Sequence, residues 1–260
     1  MTLYLALALY ALGTLAALAS LSVRTVRLQY AGLVLMFGGF VSHTIWIGTI
    51  CARTGHPPLT NLPETASFIA WVVFAIELGL WLRYRVYAAS FFVYPLVLFL
   101  LTVSAAVGEN FVRLDPALRS NLFTAHLLLT TLGVAALLVG LAFGLLAFIQ
   151  DRMLKNKKVG RLWEWIPSLD VCKNLSFRSL AIGFSIYTLG LIAGVLWSYR
   201  TDTGLVDLLR AKQIGAIAAW ILFAILLQSF VSNTYRQRRY LFVSAGAFIA
   251  IVVAMLGIRG

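Results

Sequence analysis

The sequence predicts an all-α, polytopic integral membrane helix bundle of about eight transmembrane helices, with both termini extracytoplasmic. Three observations carry this reading. Apolar residues make up 61% of the 260 residues and charged residues only 12%, whereas soluble domains sit nearer half and a quarter. The apolar residues fall into eight runs, each near the ~20 residues that cross ~30 Å of hydrocarbon. The basic residues alternate between the two sides of these runs. The connections after runs one, three, five and seven hold Arg24 and Arg27, then Arg83 and Arg85, then Arg152, Lys155, Lys157, Lys158, Arg161, Lys173 and Arg178, then Arg236, Arg238 and Arg239. These connections are therefore cytoplasmic.

The runs follow in order. Residues 3–23 lack a preceding basic segment and are long enough to span, so they read as a first helix, not a cleavable signal. The second run is 30–50. The third, 66–82, is the shortest, and its start is marked by Asn61 with Glu64, the spacing of a capping box. Runs 87–107 and 122–149 follow, the latter long enough to protrude or tilt. Runs 180–197, 214–231 and 241–258 complete the set. Residues 1–260 read as a single transmembrane domain, without internal repeat or flexible linker. At about 151–178 a cytoplasmic amphipathic segment is expected. Leu162, Trp163, Trp165, Ile166 and Leu169 alternate there with charges, and Ser168 after Pro167 is a helix start.

The formal net charge is +12. Basic cytoplasmic loops account for it, so nucleic acid is not an expected partner and the lipid bilayer is. Cys51 and Cys172 fall on opposite sides of this topology and should not pair. There is no C-x-x-C, which argues against a redox dithiol or a covalent haem site in this chain. Phosphate-binding, nucleophile-elbow, zinc-protease and dinucleotide signatures are missing as well.

Polar residues are costly within lipid and face the bundle interior. Those at membrane depth are His43, Glu77, His126 and Gln228, with His56 in the outer loop. His43 lies in the outer half of the second helix with Trp46 on its face, and His126 opens the fifth. On chemistry alone each is either a hydrogen-bonding histidine or a metal ligand. Glu77 either binds a proton or cation or simply hydrogen-bonds a neighbouring helix. Gly190 and Gly194 have the G-x-x-x-G spacing of close helix packing.

The stretch Gly55-His56-Pro57-Pro58-Leu59-Thr60-Asn61-Leu62-Pro63-Glu64-Thr65, then Phe68 and Trp71, resembles the G-H-x-P-x-x-N-x-x-E-S-x-x-F-x-x-W pattern of the cytochrome c assembly family, which includes CcsA, ResC and HemX-like proteins. His43 resembles that family's membrane histidine, and His126 its outward-facing one. Pro167-Ser168-Leu169-Asp170, Gly183-Phe184 and Thr188-Leu189-Gly190 are similar to the HemX and CcsA branch, and Tyr235-Arg236-Gln237-Arg238-Arg239 to the family's W-R-G-R-R turn.

The resemblance implies a haem-handling membrane protein of cytochrome c biogenesis in the bacterial inner membrane. His43 and His126 would be ligands to the haem iron. Trp46 and Trp71 would be walls of the cofactor site, with Trp197 and Trp220 beyond them. Arg53, Arg113, Arg119, Arg200 and Arg210 would be partners for the haem propionates. The implied partners are haem, apocytochrome c and another assembly subunit.

The departures are as specific. Where the family carries W-G-x-x-W-x-W-D-P-K-E, this chain reads Thr203-Gly204-Leu205-Val206-Asp207-Leu208-Leu209-Arg210-Ala211-Lys212-Gln213, without the tryptophans. Gln228 stands where a second membrane histidine is expected, and no histidine follows the eighth helix before Gly260. Independent haem lyase activity is therefore not expected; at most the chain is part of such a system. A non-catalytic HemX-like regulator or partner subunit is the alternative, and a small-molecule permease, which only Glu77 encourages, comes last.

Overall fold

A computed structural model describes residues 2–23, 25–85, 87, 89–107, 120–157, 165–200, 211–232 and 237–256. Among these the secondary structure is entirely helical, in eight helices: α1 (Thr2–Val23), α2 (Val26–Thr54), α3 (Leu62–Tyr84), α4 (Ser90–Val107), α5 (Asn121–Lys155), α6 (Leu169–Arg200), α7 (Ala211–Val231) and α8 (Gln237–Leu256). Helices α1 to α7 are long and apolar enough to cross a membrane, and α8 contributes the shorter apolar stretch Phe242–Ala254. The protein is thus a polytopic membrane helix bundle. The expected eighth run, 241–258, extends past the described residues, which end at 256. Large apolar side chains such as Val34, Phe99 and Val195 lie exposed along the helices, as lipid contact requires.

Several helices outrun their apolar runs. The second begins at Val26 and ends at Thr54, where Gly55 takes a left-handed conformation (φ 75°) and its N–H closes on the Cys51 carbonyl at 2.9 Å. The fifth continues to Lys155, where Lys155 pairs with Asp151 at 2.6 Å. The sixth starts at Leu169, with the Ser168 carbonyl accepting its first bond from the Cys172 N–H at 3.1 Å. Thus the ends of the 151–178 segment are the last turn of α5 and the first turns of α6. Residues 158–164 of that segment lie outside the described residues. The start of α3 is built as its sequence indicates. Asn61 Oδ1 accepts from the Glu64 N–H at 2.9 Å, and Glu64 accepts in return from Asn61 Nδ2 at 3.1 Å and from the Thr60 N–H and Oγ1 at 3.0 and 2.7 Å.

The chain forms two compact units. The first comprises Met1–Arg113 with Ala142–Asn174, the second Leu114–Leu141 with Leu175–Gly260. In the first unit α1 packs along α2 and also meets α4, and α4 pairs with α3. At one end of this unit Tyr30, Trp81 and Tyr87 form an edge-on ring cluster, with the Arg85 guanidinium 4.4 Å from the Trp81 ring. Such a cluster suits the headgroup boundary. In the second unit α7 pairs with α8, and α5 runs tightly against α6. A Cβ at Gly133 would lie 2.7 Å from the Tyr187 nitrogen, and one at Gly183 would lie 2.8 Å from the Leu137 nitrogen. The small residues of α6 therefore serve close backbone approach, as their spacing indicates. Cys51 and Cys172 are free thiols.

Candidate functional site: one imidazole in each unit

In the first unit His43 is completely buried on α2. Its position depends on Gly39, one turn earlier. A Cβ at Gly39 would lie 2.6 Å from Tyr10 Cδ1, so the missing side chain admits the Tyr10 ring against α2. Tyr10 Oη then comes within 3.4 Å of His43 Nδ1, with the rings edge-on at 5.9 Å. On the opposite edge His43 Nε2 is 2.7 Å from Ser67 Oγ of α3. A hydroxyl both donates and accepts, so the two ring nitrogens are satisfied in either tautomer.

Trp46 lies beside this imidazole, its ring 5.8 Å from that of His43. Trp71 has other partners: it stacks on Phe40 at 5.2 Å and donates from Nε1 to Thr44 Oγ1 at 2.8 Å. The structure thus joins His43 to Trp46 and adds Tyr10 and Ser67. Neither addition is marked in the sequence, because a tyrosine inside an apolar run and a serine within α3 carry no spacing signal. Glu77, farther along α3, is buried, and its Oε2 has no hydrogen-bond partner among the described residues. His56 sits in the loop between α2 and α3, with Nδ1 2.9 Å from the Pro57 carbonyl.

In the second unit His126 is half-buried in the second turn of α5. Its Nδ1 is 2.7 Å from the Gly190 carbonyl of α6. A carbonyl only accepts, so Nδ1 carries the proton and the ring's basic lone pair belongs to Nε2. The ring lies over Gly194, where a Cβ would come within 2.6 Å of Nδ1. One turn away on each helix, Phe123 and Trp197 pack together at 4.8 Å. The G-x-x-x-G pair therefore does more than pack helices: Gly190 supplies the carbonyl that orients the imidazole, and Gly194 supplies the space for it. Trp220 lies elsewhere in this unit, donating to Thr188 Oγ1 at 2.9 Å and packing on Phe184 at 5.3 Å.

Of the arginines expected near the propionates, Arg53 lies in the last turn of α2 and Arg200 ends α6, both exposed. Arg113, Arg119 and Arg210 lie outside the described residues, as does 203–210, the counterpart of the tryptophan-rich motif. Among the described residues no three His, Cys, Asp or Glu side chains cluster as a metal site. A haem iron needs only one or two side-chain ligands. For that demand His43 and His126 are the two candidates. An imidazole whose Nδ1–H is held by a carbonyl is the arrangement typical of metal-ligating histidine, and aromatic rings are at hand. At His43 the bond between Nε2 and Ser67 occupies the coordinating position.

These features define a multi-span membrane protein with an oriented imidazole in each of two helical units. The family model described as Cytochrome C assembly protein matches residues 82–260, and the chain belongs to that family. It is 25% identical over 238 residues to the cytochrome c biogenesis protein CcsA of Guillardia theta, covering 84% of this chain and 79% of that protein. It is 28% identical over 232 residues to the CcsA of Prochlorococcus marinus (strain MIT 9301), covering 79% and 74%.

Proposed function

We propose that the chain is a haem-handling membrane subunit of cytochrome c biogenesis, with His126 as its principal iron ligand. The observation that carries this reading is the 2.7 Å bond from His126 Nδ1 to the Gly190 carbonyl, which orients the ring and makes Nε2 the ligating atom. When bound, haem supplies a redox-active iron and reactive vinyl groups. The chain's own residues hold and present it: His126 takes the iron, Phe123 and Trp197 offer aromatic surface, and Arg200 ends the same helix as Trp197 as a partner for a propionate. His43 with Trp46 is the second candidate pair, and Trp71 a more distant wall. Ligation by His43 requires its bond to Ser67 to be exchanged for iron.

The protein acts, on this reading, in the bacterial cytoplasmic membrane with an apocytochrome c or a second assembly subunit. The lost tryptophan motif and Gln228 favour a supporting subunit over an independent lyase. The test is to purify the chain in mild detergent, load it with haemin and record its absorption spectrum. A Soret band that disappears in His126→Ala and weakens in His43→Ala supports the reading. A band unchanged by both substitutions together defeats the ligand assignment.

A further inference from the structure

The end of the first unit that carries the Tyr30, Trp81 and Tyr87 rings also gathers cations that the haem reading leaves unused. Arg83 lies in the last turn of α3, Arg85 caps that helix, and Arg27 lies one turn before Tyr30 on α2. All three are exposed. Among the described residues none of them pairs with a carboxylate. The sequence explains why. Residues 1–108 hold two acids, Glu64 and Glu77. Glu64 sits at the opposite end of α3, and Glu77 is buried two turns before Arg85. The basic end of α5 is built differently, for there Lys155 is neutralised by Asp151 at 2.6 Å.

The cations are held in place by their surroundings. Arg85 adopts a left-handed conformation (φ 54°), and its N–H bonds the Trp81 carbonyl at 2.8 Å. Glycine closes a helix in this way without strain. What arginine adds is its guanidinium, which lies over Trp81. Trp81 meets Tyr30 and Tyr87 edge-on, and Tyr87 Oη donates to Tyr30 Oη at 2.9 Å. The rings thus tie the turn that carries Arg27 to the turn that carries Arg85. Each cation also has an exposed apolar or aromatic neighbour in sequence: Val26 before Arg27, Leu82 before Arg83 and Tyr84 before Arg85. A free anion in water has no use for such a rim. A molecule with phosphate oxygens and hydrocarbon chains meets both parts, the phosphate through the planar guanidinium forks and the chains through the rim. The positive-inside rule puts this end in the cytoplasmic leaflet, where anionic lipids gather.

We propose that Arg27, Arg83 and Arg85 bind the phosphate of an anionic phospholipid whose acyl chains lie along Val26 and Leu82. The site anchors the adjoining ends of α2 and α3 to one leaflet. It is independent of whether His126 or His43 takes iron.

The full chain is purified in mild detergent and titrated with phosphatidylglycerol or with phosphatidylcholine, and the first bound lipid is followed by native mass spectrometry. Phosphatidylglycerol should bind more tightly, and Arg27→Gln, which leaves the ring contacts intact, should weaken it about fivefold. The preference should vanish in R27Q/R83Q/R85Q and largely persist in R27K/R83K/R85K, which keeps the charge. Removing the same charge at the end of α5, in R152Q/K155Q/K157Q, should leave the preference unchanged. Should R27Q/R83Q/R85Q fail to fold, Arg27→Gln and Arg83→Gln read the same loss singly. Equal binding of the two lipids, a preference that survives removal of the three arginines, or an equal loss in the α5-end variant would overturn the proposal. So would displacement of the lipid by glycerol phosphate or by haemin at equal concentration, which would assign the cluster to a soluble phosphate or to haem.

Discussion

The Nδ1 of His126 lies 2.7 Å from the Gly190 carbonyl, and the same ring rests on Gly194, four residues farther along α6. One helix thus both orients the imidazole and makes room for it. A Gly194→Ala substitution puts a Cβ within 2.6 Å of Nδ1 and must push the ring aside. Overpacking of this kind costs about 1–3 kcal/mol. The variant should unfold at lower temperature in detergent and hold haemin more weakly, read as a reduced Soret absorbance at equal loading. Full retention of both properties would show that the ring position does not depend on Gly194.

The two histidines should separate in a stability assay. His43 is buried between Tyr10 and Ser67, and His43→Ala leaves a cavity and two buried hydroxyls without their partner. Each abandoned group costs about 1–3 kcal/mol. His126 is half-buried, so its truncation loses less packing. Thermal unfolding followed by circular dichroism should show a large drop for His43→Ala and a small one for His126→Ala. Equal drops would contradict the distinction drawn between a packed and a presented imidazole.

Glu77 has a buried oxygen without a hydrogen-bond partner among the described residues. Such a group is a burden that an apolar side chain of similar size removes. Glu77→Leu should therefore leave stability unchanged or raise it, by up to about 1–3 kcal/mol. A clear loss of stability would reveal a partner for the carboxyl and restore interest in proton or cation binding there.

The start of α3 rests on the reciprocal bonds of Asn61 and Glu64. Asn61→Ala should cost about 1 kcal/mol, and hydrogen exchange should quicken first at the amides of Glu64 and Thr65. Uniform protection across α3 in the variant would mean that packing, not the cap, sets this end.

The fold was largely legible because its signals are local. Apolar runs of membrane-crossing length need no knowledge of neighbours, and the Asn61–Glu64 spacing is a short-range pattern that α3 realises directly. Helix ends were less legible. Hydropathy marks where lipid stops, whereas the backbone bonds of α5 and α6 continue past it to Lys155 and back to Leu169.

The environments of the histidines were hidden for another reason. The partners of His43 come from α1 and α3, and His126 bonds a backbone carbonyl, a group that every residue carries. No periodicity announces that Gly39 admits Tyr10 or that Gly190 offers its oxygen. Trp46 was legible as a neighbour of His43 because it lies three residues away on one helix. Trp71, read from the family pattern, proves to lie on Phe40 and Thr44.

The central claim is tested most directly by chemical rescue. His126→Gly is purified and loaded with haemin, and its absorption and resonance Raman spectra are recorded with and without free imidazole. The account predicts that the Soret band and the iron–histidine signature are lost in the variant and return when imidazole enters the vacated space. An unaltered spectrum in His126→Gly, before any imidazole is added, would contradict it.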